Sequence, residues 1–147
     1  MRIALGSDHA GYELKEKVKE YLARIGIEVA DCGTSSPDSV DYPDFAGRVG
    51  SEINRGRSER GILFCGTGIG MSMAANKIPG IRAALASTPD AARLSRLHND
   101  ANVLCLAGRC LDASMAEEIV RVWLETQFEG GRHQRRVDKI MALERER

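Results

Sequence analysis

The chain has 147 residues, of which 21 are Lys or Arg and 21 are Asp or Glu, so its formal net charge is zero. A chain of this length buries about 68–70% of its unfolded surface, which is enough for a core without disulfide or metal staples. We therefore expect one domain over residues 1–147. The balanced charge argues against a nucleic acid or an anionic membrane as partner, because both select an excess of basic residues.

The cysteines and the N-terminal segment indicate a cytoplasmic protein. Cys32, Cys65, Cys105 and Cys110 form no C-x-x-C pair and show no zinc-finger spacing, so free thiols in a reducing compartment are expected. The first apolar run is too short for a signal peptide, and no run approaches the length of a membrane span.

Apolar runs typical of strands alternate with segments of helical periodicity along the chain. Leu14, Val18 and Leu22 recur at helical spacing, Gly26 suits the end of that helix, and Pro43 suits the first turn of the next. Strands are predicted over 3–6, 27–30, 62–65, 81–86 and 103–107, and further helices over 70–77, 90–97, 113–128 and about 134–145. This alternation predicts a three-layer α/β/α sandwich with a five-stranded parallel, Rossmann-like sheet.

Polar side chains stand where the predicted strands end, which is where α/β sheets bind ligands. Asp8 and His9 follow the first strand, Cys65 ends the third, and Arg109 follows the fifth. His98 precedes the fifth strand, and we expect it to reach the same rim as Asp8.

The segment Cys65-Gly66-Thr67-Gly68-Ile69-Gly70 runs from a strand into a helix. Its alternate glycines let the backbone turn N–H groups toward an anion, and the helix N-terminus adds positive potential. A thiolate at Cys65 is favoured there and would serve as base or nucleophile. The segment lacks the lysine of a Walker loop, the spacing of a dinucleotide fingerprint, and the arginine of a cysteine-phosphatase loop.

The histidines and the C-terminal arginines are the remaining candidates. No H-x-x-x-H pair joins His9, His98 or His133, so acid–base work is favoured over metal binding, and no metal or cofactor is expected. Arg132 and Arg136 are four residues apart and would share a helix face. They fit a phosphate clamp and a solvated basic helix end equally well.

Together these motifs resemble the ribose-5-phosphate isomerase type B family, which also includes galactose- and allose-6-phosphate isomerases. The matching segments follow one another over nearly the whole chain: Gly6-Ser7-Asp8-His9-Ala10-Gly11, Asp41-Tyr42-Pro43, Cys65-Gly66-Thr67-Gly68-Ile69-Gly70, Ala74-Ala75-Asn76-Lys77, Ser95-Arg96-Leu97-His98-Asn99-Asp100-Ala101-Asn102 and Gly130-Gly131-Arg132-His133. One branch of the family has a glutamate base where this chain has Met71, so the resemblance is to the cysteine branch.

The resemblance implies an aldose–ketose isomerase that interconverts ribose 5-phosphate and ribulose 5-phosphate through an enediolate. Cys65 would move the C2 proton, and His98 with Asp8 would open the ring. The remaining implied residues are Thr67 and the amides of Gly66, Gly68 and Gly70 for the enediolate oxygen, Tyr42 and Asn99 for the sugar, and His9, Arg109, Arg132 and Arg136 for the phosphate.

The resemblance also implies a homodimer, or a dimer of dimers, with sites shared between subunits. We expect Cys65, Asp8 and the C-terminal arginines from one chain, and His98, Asn99 and Arg109 from its partner. A six-carbon sugar phosphate as substrate, a flavodoxin-like anion-binding module and a cysteine-dependent hydrolase stay open as alternatives.

Overall fold

Five short strands form one parallel sheet in the computed structural model, which describes residues 1–146. The strands are β1 (Arg2–Ser7), β2 (Glu28–Asp31), β3 (Arg60–Cys65), β4 (Ala83–Leu85) and β5 (Val103–Ala107). Their order across the sheet is β2-β1-β3-β5-β4, with Ser7 opposite Phe64 and Cys65 opposite Ala107. The predicted parallel sheet is confirmed, and the structure adds the strand order, which the sequence did not reveal.

Six α-helices and a final 3₁₀ turn complete the described chain. They are α1 (Tyr12–Arg24), α2 (Tyr42–Asn54), α3 (Ile69–Ala75), α4 (Pro89–Asn99), α5 (Ala113–Glu125), α6 (Arg132–Ala142) and the 3₁₀ turn Leu143–Glu146. Gly26 has a left-handed backbone just past α1, and Pro43 lies in the first turn of α2, as predicted. None of the helices within residues 1–146 is long and apolar enough to cross a bilayer.

Both faces of the sheet are covered, because alternate strand residues point to opposite sides. Ile62, Phe64 and Leu104 pack on one face with α1, α4 and α5. Leu63 and Cys105 pack on the other with α2 and α3. The three-layer arrangement is therefore confirmed.

The strand order creates a crevice between β1 and β3. From β1 the chain runs to β2 on one side, and the later strands lie on the other. At such a switch point the loops after the two neighbouring strands lead away in opposite directions, which leaves room for a ligand at their carboxyl ends. Asp8 and Cys65 stand at those two ends.

Candidate active site

Cys65 is the last residue of β3, and its thiol is held by the loop that follows. Its Sγ atom accepts a hydrogen bond from the amide of Gly68 across 3.2 Å, and the residue is only 4% exposed. Gly68 has φ of 75°, a left-handed conformation that side-chain-bearing residues rarely adopt. The turn thereby aims an N–H group at the sulfur atom and fixes the direction of the Cys65 side chain.

The glycines of this loop also make space for neighbouring side chains. A Cβ atom on Gly70 would lie 2.5 Å from Cζ of Tyr42, and one on Gly66 would lie 3.2 Å from a guanidinium nitrogen of Arg109. Any larger residue would push these two side chains away from Cys65. Helix α3 has only seven residues, so anion stabilisation here depends mainly on the loop amides.

Asp8 faces Cys65 across the crevice from the end of β1. Its amide donates to the Phe64 carbonyl at 3.3 Å, which ties it to β3. Its Oδ1 accepts the Gly11 amide at 3.0 Å, and the residue is 6% exposed. A carboxylate fixed in this way is positioned for proton transfer at a bound ligand.

His9 is oriented by the long loop between β2 and α2. Its Nδ1 accepts a hydrogen bond from the Val40 amide at 3.2 Å. In the neutral imidazole the proton then resides on Nε2, which is left as a donor for a ligand.

The loop itself is anchored by an ion pair between a buried lysine and a partly exposed aspartate. The ammonium of Lys15, only 1% exposed, lies 2.8 Å from Asp31 Oδ2, and the Thr34 amide donates to the Ser7 carbonyl at 3.1 Å. Burial alone would raise the pKa of Asp31, but hydrogen bonds from Lys15 and Lys19 hold that pKa below its ordinary value.

These residues enclose one open cleft of about 520 Å³. Its lining residues are Asp8, His9, Ala10, Tyr42, Cys65, Gly66, Thr67, Ile69, Gly70, Met73 and Arg109. Eight of the predicted site residues therefore lie together in a single chain. Gly68 does not line the cleft, but its amide donates the hydrogen bond to Cys65 Sγ.

His98 lies in a second group of residues, built on the ends of α4 and α6. The rings of His98 and His133 stack with centroids 4.2 Å apart and planes 15° from parallel. A carboxylate oxygen of Glu129 lies 4.0 Å from His98 Nε2 and 3.6 Å from His133 Nε2. Burial lowers the pKa of His133, as do the nearby charges of His98, Arg132 and Arg136, and this favours the neutral imidazole.

One chain does not bring Asp8 and His98 to the same rim, which corrects the sequence prediction. His98 ends α4, and the chain then enters β5 at Val103, so His98 lies at the amino edge of the sheet. Asp8 lies at the carboxyl edge. Asn99 shares the amino edge, beside a cavity of about 370 Å³ that also includes Arg82.

The predicted grouping of the arginines is also wrong. Arg109 lines the cleft of its own chain's Cys65, because the Gly108–Arg109 turn is hydrogen bonded to Cys65 and Gly66. Arg132 and Arg136 flank His133, which stacks on His98 of the same chain. The C-terminal arginines therefore accompany His98, and Arg109 accompanies Cys65.

Sequence reasoning gave no role to His133 or Glu129. The two residues are only four positions apart in the chain, but Glu129 lies in the loop before α6, so no helix periodicity linked them. Their meeting with His98 was not predictable either, because it depends on α6 packing against α4.

A parallel sheet with a polar, thiol-bearing cleft at its switch point is the arrangement of a small α/β enzyme. The chain belongs to the family described as Ribose/Galactose Isomerase, which matches residues 3–140. It is 48% identical to ribose-5-phosphate isomerase B of Escherichia coli over 146 residues, which cover 99% of this chain and 98% of that protein.

Solved structures agree with this assignment. The ribose 5-phosphate isomerase of Thermotoga maritima is 57% identical and superposes with a TM-score of 0.94 over 96% of this chain and 97% of its own. The ribose-5-phosphate isomerase B of Clostridium thermocellum is 49% identical, with a TM-score of 0.98 over 99% of both chains.

Proposed function

We propose that the chain interconverts ribose 5-phosphate and ribulose 5-phosphate, with Cys65 as the base. The main support for this proposal is the position of Cys65. Its thiol accepts a hydrogen bond from the Gly68 amide, and the residue lines the same cleft as Asp8. Family membership and relatives named ribose-5-phosphate isomerase B support the substrate.

The reaction moves hydrogen within the substrate. After ring opening has produced a C1 aldehyde, the Cys65 thiolate takes the proton from C2, and the electron pair forms the C1–C2 double bond as the C1 oxygen becomes anionic. The thiol then returns a proton to C1, while the proton of the C2 hydroxyl passes to the C1 oxygen. The ketose forms with no external oxidant or reductant, so the proposal requires no cofactor.

The enediolate needs donors near Cys65, and the loop supplies them. Thr67 and the amides of Gly66 and Gly70 lie in the cleft, and neither amide has a hydrogen-bond partner within residues 1–146. Preorganised donors of this kind stabilise an oxyanion most strongly in a site that excludes water. The Gly68 amide, already bound to sulfur, serves the base instead.

Ring opening requires a proton donor and acceptor at the anomeric hydroxyl and the ring oxygen. In our proposal Asp8 shares this work with His98 of a second copy. His98 of the same chain cannot share this work, because it lies at the opposite edge of the sheet. Its imidazole is 39% exposed and can therefore enter the cleft of another copy. The active unit is therefore a homodimer, or a dimer of dimers, with Asn99 entering beside His98.

The phosphate lies between the two copies in the same proposal. His9 Nε2 and Arg109 approach it from the cleft that holds Cys65. Arg132 and Arg136, both exposed on the first turns of α6, approach from the partner. Tyr42 lines the sugar. Guanidinium groups suit this role because they bind phosphate with paired hydrogen bonds. We place the enzyme in the cytoplasm, in keeping with its free thiols.

The experiment is a panel of aldose phosphates scored for ketose formation, with ribose 5-phosphate, allose 6-phosphate and galactose 6-phosphate as members. We expect ribose 5-phosphate to give the highest kcat/KM. A preference for a six-carbon phosphate, or release of inorganic phosphate without ketose, would overturn the proposal.

A further inference from the structure

His98, Glu129 and His133 form a group of ligand atoms that the isomerase chemistry leaves partly unexplained. One ring nitrogen of each histidine and one carboxylate oxygen of Glu129 all lie within 4.8 Å of one another. The Nε2 atom of His133 is buried and has no hydrogen-bond partner within residues 1–146. A buried imidazole nitrogen without a partner costs free energy of folding, and a bound ligand would remove that cost.

The ligand atoms are near the spacing that a cation requires, but one ring must turn. Tetrahedral zinc with ligands at 2.0–2.1 Å has ligand atoms about 3.3 Å apart. The two distances from Glu129 are 3.6 Å to His133 and 4.0 Å to His98. The stacked rings must splay for their lone pairs to converge. Because the His98 side chain is 39% exposed and that of His133 is 7% exposed, His98 can rotate while His133 stays fixed.

We propose that His98, Glu129 and His133 bind zinc or a similar divalent transition-metal ion, and that this ion inhibits the enzyme. Two imidazoles and one carboxylate with an open fourth position are a common ligand set for zinc. The inhibitory part rests on the proposed function, because the ion would occupy the His98 nitrogen needed for ring opening. The binding part does not depend on it.

Neighbouring charge limits the affinity of this site. Arg132 and Arg136 lie close enough to act on His133, and both oppose a cation. Glu129 is the carboxylate of the group, so its charge is decisive for binding. Glu129 has no role in the proposed isomerisation, and replacing it by Gln keeps its shape while it removes that charge.

Binding is tested first without substrate, on Cys65→Ala so that the site thiol cannot compete. Cobalt(II) serves as a spectroscopic substitute for zinc. We expect visible d–d bands at one equivalent, without the near-ultraviolet band of sulfur ligation. Glu129→Gln added to this variant should remove the bands, and Glu125→Gln, which changes an exposed glutamate paired with Arg121, should keep them. Bands that survive Glu129→Gln, a sulfur band, or no binding at all would overturn the site.

Inhibition is tested next, on the enzyme with Cys65 intact. Zinc should lower turnover of ribose 5-phosphate, and Glu129→Gln should raise the half-inhibitory concentration by roughly tenfold or more, since even outer-shell changes cost 10–100-fold in metal affinity. Glu125→Gln should behave as wild type. Equal zinc sensitivity in all three proteins would contradict the inhibitory role. Cobalt binding by a chain that does not isomerise ribose 5-phosphate would instead leave the site standing and refute the proposed function.

Discussion

His98 stacks on His133 with ring centroids 4.2 Å apart, at the edge of the sheet opposite to Cys65. The two residues that the proposed chemistry requires together, His98 and Cys65, are thus held apart within one chain. A second copy of the chain is the simplest way to bring them together. The separation of the two residues therefore predicts which pairs of inactive variants regain activity in a mixed dimer.

Mixed dimers test the shared site. Cys65→Ala and His98→Ala should each be inactive, yet a dimer with one chain of each collects both lesions in one site and leaves the other intact. We expect subunit exchange to restore about half the wild-type turnover per mixed dimer. Turnover is measured on dimers purified with two different affinity tags.

Arg109→Ala provides the matched control for this experiment. Because Arg109 lies in the same cleft as Cys65, a mixed dimer of Cys65→Ala with Arg109→Ala carries one lesion in each site and should gain no activity above that of Arg109→Ala alone. Rescue by Arg109→Ala, or none by His98→Ala, would refute the arrangement of the two copies.

Arg136→Ala tests the phosphate clamp. A hydrogen bond to a charged group contributes about 1.5–3 kcal/mol, so phosphate binding should weaken by roughly ten- to a hundredfold. The effect should appear in KM for ribose 5-phosphate and be absent with unphosphorylated ribose. Arg135→Ala, an exposed neighbour on the same helix, should change neither. An equal loss for both sugars would mean that Arg136 supports structure.

Asp31→Asn tests how the loop that holds His9 is anchored. This change removes one of two carboxylates on the buried Lys15 ammonium and leaves Glu16 Oε1, at 2.9 Å, as the other. A hydrogen bond to a charged group contributes about 1.5–3 kcal/mol, so the free energy of unfolding at pH 7 should fall by about 2 kcal/mol. The folded-state pKa of Asp31 is depressed. The stability it adds is therefore complete above the unfolded pKa, near 3.9, and is lost as pH falls through the lower folded value.

Urea unfolding of both proteins between pH 7 and pH 3 measures this difference. The gap between wild type and Asp31→Asn should be constant down to about pH 5 and shrink below pH 4. Asp90→Asn, which breaks an exposed pair with Arg93, should cost about 0–1 kcal/mol. A gap that widens on acidification would contradict the assigned ion pair.

Chelation separates a required metal from an inhibitory one. Prolonged treatment with a strong chelator should leave turnover unchanged, or raise it where zinc was present, because no proposed step uses a metal. Dialysed enzyme assayed with and without each divalent ion measures this. Activity that is lost on chelation and restored by one ion would contradict both the proton-transfer scheme and the inhibitory site.

The sequence predicted the sheet and most of the cleft because both follow from local patterns. Apolar runs mark the strands, and polar residues directly after β1, β3 and β5 must meet at one edge. Strand β4 is shorter than predicted. The Arg82 amide bonds to the side chain of Asn102 at 2.8 Å, so the ladder begins only at Ala83.

The edge at which His98 lies follows from chain topology, but its grouping with His133 and Glu129 does not. A helix that follows one strand returns the chain to the other edge of the sheet, so His98 at the end of α4 had to lie away from Asp8. The stacking of His98 on His133 further depends on how α6 packs against α4, a contact between segments 35 positions apart in sequence. Periodicity and spacing carry no information on such a contact.

The identity of the base is tested by Cys65→Ala, with Cys105→Ala as its control. Cys105 is a buried cysteine on the adjacent strand, and burial raises the pKa of its thiol, so it is unsuited to proton transfer. Both variants should keep the wild-type circular dichroism spectrum. Cys105→Ala should retain turnover, although it will unfold more readily.

The most direct measurement is proton nuclear magnetic resonance of ribose 5-phosphate conversion in heavy water, with wild type and Cys65→Ala at equal concentration. Wild type should form ribulose 5-phosphate with deuterium at C1, because the Cys65 thiol exchanges with solvent before it returns the proton. Cys65→Ala should be slower by at least about a hundredfold, the contribution typical of a general base. Wild-type turnover by folded Cys65→Ala would contradict the account.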